Sequence, residues 1–128
     1  MKTKRAAVVS VFILAIAAFA FTAQAETFSW NAVTTYTDGT SIGTTPVTYT
    51  AYWTTNSALT PSSLQTLASA ISTTSTTFSI GTAGMPRGSV IYFTVKSTVG
   101  GVDSALATAL SWNVPTLSPS SPSNLRIQ

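Results

Sequence analysis

Val90-Ile91-Tyr92-Phe93-Thr94-Val95-Lys96, led in by Met85-Pro86-Arg87-Gly88-Ser89, is the stretch whose reading decides the fold. Apolar side chains fall at Ile91, Phe93 and Val95, with Thr94 and Lys96 between them. That alternation belongs to a strand with one buried face. The Pro and Gly just before it mark a tight corner. This is the expected central strand of a small antiparallel sandwich, and the flanking chain should supply the strands that pack around it.

Downstream, Gly100-Gly101 suits a hairpin connection. It leads to an expected strand over Ser104–Val114, with Leu106, Leu110, Trp112 and Val114 on one face. Pro115 ends that strand. Upstream, Thr76–Ile80 reads as a strand with Phe78 and Ile80 inward, and residues 81–88 form the corner. Val47–Trp53 alternates cleanly: Val47, Tyr49, Ala51 and Trp53 share one face, and Thr48, Thr50 and Tyr52 the other. Thr27–Trp30 is a short strand with Phe28 and Trp30 on one side. Between these two lies a polar connection, 31–46, with turn positions at Asp38-Gly39 and Gly43.

Residues 60–72 admit two readings. Leu64, Leu67, Ala68 and Ile71 have helical spacing, and Thr60-Pro61 could start a helix. The strand-rich setting points instead to a strand plus a loop. Short strands separated by turn signals indicate an all-β sandwich.

The N-terminus looks like an export signal. Lys2, Lys4 and Arg5 precede an apolar run from Ala6 to Phe21, and Ala23-Gln24-Ala25 is a small-residue cleavage pattern. The run is shorter than the roughly 20 residues of a spanning helix. Residues 1–25 are therefore expected to be removed, leaving Glu26 at the N-terminus of a secreted protein, extracellular or periplasmic, with no membrane attachment afterwards. The net charge of +3 belongs to the removed part. Arg87, Lys96 and Arg126 then balance Glu26, Asp38 and Asp103, so no basic surface for nucleic acid is expected.

Ser and Thr make up roughly two-fifths of residues 26–128, which suits exposed strand positions. The chain has no histidine and no cysteine, so it offers neither a disulfide framework nor a thiolate metal site. Asp38 and Asp103 fall in expected turns, and Lys96 projects outward from its strand. No acid–base pair, Ser–Lys dyad or phosphate loop follows from these residues. We expect no enzyme activity, no cofactor and no metal. Trp30 and Trp112 are expected in the core. Tyr36 and Tyr52 are expected on the surface, where aromatic rings could stack on a polysaccharide.

In this order the chain resembles a bacterial fibronectin type III domain. Phe28-Ser29-Trp30 is similar to that family's second strand, with its core Trp. Thr34 to Thr40 is similar to the polar loop that follows, and Val47 to Trp53 to the third strand. Met85 to Val95 resembles the corner and sixth strand, and Ser104-Ala105-Leu106 the start of the last. The resemblance implies an antiparallel immunoglobulin-like sandwich over 26–115, followed by a Pro/Ser linker and a short terminal strand within 116–128.

Two departures stand out. The family's corner tyrosine would fall at Ile91, which can only pack. The family's first strand has no room before Phe28 once residues 1–25 are removed. Yet Ser121-Pro122-Ser123-Asn124-Leu125-Arg126-Ile127 resembles such a strand, at the other end of the chain. Leu125 and Ile127 are thus candidate strand-donation residues. The segment could fill its own domain's gap, fill the gap of a second copy, or begin a further domain, as a junction in a tandem array does. The expected role is a non-catalytic secreted structural or interaction module, a spacer or subunit of an extracellular assembly with protein partners or self-association. The alternative is a carbohydrate-binding accessory module that uses Tyr36 and Tyr52.

Overall fold

A computed structural model of the chain describes residues 24–118 and 121–128. The expected signal peptide lies almost wholly outside those residues. Within them, β1 (Ala25–Ser29) pairs antiparallel with β4 (Ser75–Ser79) in a two-stranded sheet. The second sheet holds β2 (Val47–Thr54), β3 (Gln65–Ile71), β5 (Val90–Val99), β6 (Val102–Asp103) and β7 (Leu110–Asn113). A single helical turn, α1 (Ile80–Ala83), follows β4.

The alternating stretch is the centre of the larger sheet. β5 pairs with β2 from Val47↔Val99 to Thr54↔Tyr92, and on its other side with β6 and β7. Its inward residues are the expected ones: Ile91, Phe93 and Val95 are buried, as are Tyr49, Ala51 and Trp53 beside them. Phe93 is the hub. Its ring lies 5.0 Å from that of Phe28 and 5.2 Å from that of Phe78, both on the small sheet. These contacts join the two layers, and each aromatic pair adds about 0.5–1.5 kcal/mol beyond the area it buries. Trp30 and Trp112 are half-buried and pack against this core, as expected.

The corner before β5 holds without a tyrosine. Gly88 N–H donates to the Val114 carbonyl, and Val114 N–H donates to the Ser89 carbonyl, both at 2.9 Å. Ser89 Oγ donates to the Pro86 carbonyl at 2.6 Å. Ile91, fully buried, supplies packing where the family would place a hydroxyl. After β5, Gly100 and Gly101 have φ of 56° and 79°. Two successive positive φ values make the tight turn whose twist matches the strands it joins.

Residues 60–72 combine both readings. Thr60 and Pro61 do start a helical turn, but it is a single 3-10 turn, Pro61–Ser63. A strand follows it. Tyr49 faces Ile71 while Ala51 faces Ala68, so β3 spends an extra residue there; a second shift separates Ala51 from Tyr52. Ala70 takes a φ of 51° in this region. Each bulge resets which face the next side chain takes. Leu67, Ala68 and Ile71 are consequently half-buried in β3, as is Leu64 just before it, so all four residues of the helix-like pattern are half-buried.

Two expectations about residues 104–114 are corrected. The strand over Ser104–Val114 is not continuous: β6 ends at Asp103 and β7 begins at Leu110. Between them Ser104 N–H still donates to the Ser97 carbonyl at 2.8 Å and Ala107 N–H to the Val95 carbonyl at 2.9 Å, and side chains add further bonds. Ser104 Oγ accepts from Ser97 N–H at 2.9 Å, and Thr94 Oγ1 donates to the Ala107 carbonyl at 2.7 Å. Leu110, expected inward, is 57% exposed. The terminal strand over Asn124–Gln128 has no ladder in the isolated chain, and residues 121–128 are irregular.

Candidate functional site: an open sheet edge

The small sheet has one strand fewer than its facing layer needs for cover. Among the described residues β1 pairs with β4 alone, so its other backbone edge is free. β7 likewise pairs with β5 alone. A trough runs between these two free edges. Its lower half is a cavity of about 200 Å³ lined by Phe28, Phe78, Phe93, Leu110 and Trp112. Its upper half is a cavity of about 600 Å³ lined by Trp30, Val33, Tyr36, Val95, Val99 and Val102, among others. The two cavities share no lining residue; Phe28 and Phe93 line the lower one, and Trp30 and Val95, each two residues further along the chain, line the upper one.

The direction of β1 follows from ring contacts. Phe28 stacks on Phe93, whereas Trp30 lies 5.4 Å from Tyr49, whose strand partner is Ser97. β1 therefore ascends alongside β5, and β7, antiparallel to β5, descends. The chain leaves β7 at the lower end, where Arg87 Nη1 donates to the Pro115 carbonyl at 3.5 Å.

The loop that closes the upper end is better ordered than its polar composition suggests. Asp38 Oδ1 accepts from Thr40 N–H at 2.9 Å and from Thr40 Oγ1 at 2.6 Å, which holds its carboxyl below the usual carboxylate range. Ile42, the lone aliphatic side chain between Val33 and Val47, is buried. Val33 N–H donates to Tyr49 Oη at 2.9 Å. A single Ile in a polar run was the available sign that this loop folds onto the core. Inside the upper cavity's wall, Trp30 Nε1 is buried with no acceptor among the described residues.

Asp103 is not a turn former. It lies in β6, where Lys96 Nζ donates to its Oδ2 and Thr98 Oγ1 to its Oδ1, each at 2.6 Å. The Lys96 contact, then that of Thr98, lowers the Asp103 carboxyl below its ordinary 3.8. Asp103, then Tyr52, raises Lys96 above its ordinary 10.5. The Lys96 ammonium also sits 5.9 Å from the centre of the Tyr52 ring.

Tyr36 and Tyr52, paired as glycan contacts from sequence, occupy different places. Tyr36 is 46% exposed and lines the upper cavity. Tyr52 is on the outer face of β2, with Lys96, and lines neither half of the trough. Leu125 and Ile127 are 84% and 102% exposed.

A solved structure described as an Fn3-like protein from Clostridium thermocellum is similar over 76% of this chain and 83% of that one. The TM-score is 0.50 and the identity 22%. The fold is fibronectin type III-like. No protein-family model and no curated protein matches the sequence.

Proposed function

We propose that this chain is a secreted, non-catalytic module that works through contact with another protein, as a subunit or spacer of an extracellular assembly. The observation that carries this reading is the free β1 edge beside an apolar trough. An unpaired edge with apolar pockets is what an added strand binds, through main-chain hydrogen bonds and alternate side chains. The ionisable groups support it too. Asp38 serves a loop, and Asp103 and Lys96 serve each other across two strands.

The test is fractionation of cells that express the full chain, followed by N-terminal sequencing and cross-linking. Export, with Glu26 first and cross-links to surface proteins or to itself, is the expected result. Retention in the cytoplasm with residues 1–25 intact would end the proposal. A second reading, a sugar-binding module, is favoured by Tyr36 alone among the two tyrosines, because it lines a cavity. Glycan binding lost in Tyr36→Ala and kept in Tyr52→Ala would support it.

A further inference from the structure

We propose that the trough takes residues 121–128 of a second copy of this chain as an added strand antiparallel to β1, linking copies head to tail. This deepens the assembly reading above and rests on the loss of residues 1–25. The large exposed apolar side chains sort into two groups. Among the described residues, Tyr36, Val102 and Leu110 line the trough; Leu117, Leu125 and Ile127 lie on the terminal segment; Val90 alone falls outside both.

The two groups match in form. Leu125 and Ile127 are two residues apart, so in a strand both face the same side while Arg126 faces away. The trough floor from Phe93 to Val99 is about 20 Å long at strand rise, and residues 122–128 in extended form cover the same length.

Exposure and direction select a second copy over the chain's own tail. Leu125 and Ile127 are 84% and 102% exposed, so the tail does not occupy its own trough. A strand added to β1 in the more stable antiparallel sense enters at the upper end and descends. The chain's own terminal segment leaves from the lower end, beside Arg87 and Gly88. It would have to climb the whole trough before turning down into it. A segment from a copy stacked above arrives at the correct end. Such a contact uses different surfaces on the two partners, so it propagates into open chains rather than closing as a symmetric pair.

The sequence has no cysteine, which makes trapping clean. Thr27, exposed on β1, and Arg126 would both face outward across the new pairing. The full chain is expressed with its own N-terminal segment, recovered after processing and its N-terminus sequenced. Thr27→Cys and Arg126→Cys are mixed under mild oxidation, and the double variant is oxidised separately when dilute and when concentrated. The expected result is a disulfide between chains in the mixture and a ladder of linked chains in the concentrated double variant. The unmodified protein should gain roughly twofold or more in weight-average mass with concentration. Leu125→Asp with Ile127→Asp should stay monomeric with an unchanged melting temperature, since both side chains are exposed in the isolated chain. A link within one chain in the dilute double variant would show the tail in its own trough and overturn the proposal. A single mass at all concentrations with no link would overturn it equally, while leaving the module reading in place for another partner.

Discussion

Replacing Phe93 by Ala removes the ring on which both sheets converge. Phe93 is 3% exposed and touches the rings of Phe28, Phe78 and Trp112. A buried Phe→Ala change costs about 3–5 kcal/mol, the larger values arising where the void cannot collapse or fill. Phe93 floors the open lower trough, so water can enter the space it leaves. The cost should therefore fall at the low end, about 3 kcal/mol. That is a large share of the roughly 5–15 kcal/mol that holds a domain together. With an m-value of about 1.5 kcal/mol/M, the urea midpoint drops by about 2 M. Tryptophan fluorescence reads the transition, since Trp30 and Trp112 pack against the same core. Tyr92→Ala is the control: it is the adjacent residue on the opposite face of the same strand and should cost about 1 kcal/mol. Equal midpoints for the two variants would refute the two-layer packing.

Tyr49→Phe deletes the acceptor for Val33 N–H and should cost about 0.5–1.5 kcal/mol in urea unfolding; limited proteolysis should then cut faster within 31–46, and an unchanged cutting rate would disconnect that loop from the core. Gly101→Ala meets no atom within 4 Å but forces a φ of 79° on an L-residue, so it should cost about 1–2 kcal/mol through backbone conformation alone. For the Lys96–Asp103 pair, melting curves of the wild type and Asp103→Asn should differ only at intermediate pH. The folded Asp103 carboxyl is lowered, so its contribution is present above its ordinary 3.8 and fades as pH falls through the folded value. Folded Lys96 is raised, so its contribution is present below its ordinary 10.5 and fades as pH rises through the folded value. A difference that persists at acid pH would mean that Asp103 acts by some means other than its charge.

The legible parts of the fold were those in which one face is buried without interruption. Val47–Trp53 and Val90–Lys96 alternate because they pair with each other along their length, and no bulge resets their phase. Residues 64–71 admitted a helical reading because the bulges of β3 put half-buried side chains at helical spacing, and the strand-rich setting pointed correctly to the strand that forms. The 104–114 stretch looked like one strand because its apolar residues keep alternating. Nothing in that pattern shows that Ser104 Oγ and Thr94 Oγ1 share the bonding in its middle with the backbone N–H groups of Ser104 and Ala107. The gap beside β1 was visible as a missing first strand before Phe28. The upper cavity was not, because it depends on Ile42 and Val33 folding a polar loop over the core. The two tyrosines could not be assigned to one surface from sequence, since alternation sets the face of Tyr52 but says nothing about a loop residue such as Tyr36.

Amide hydrogen exchange along β1 tests the open edge most directly. In dilute, monomeric protein, the amides of Thr27–Ser29 that point to β4 should be protected, and those that point away from it should exchange freely. Raising the concentration until copies associate should protect the alternate set as well. Uniform protection in the dilute monomer would mean that the edge is already filled, and the account of an open trough awaiting a strand would be wrong.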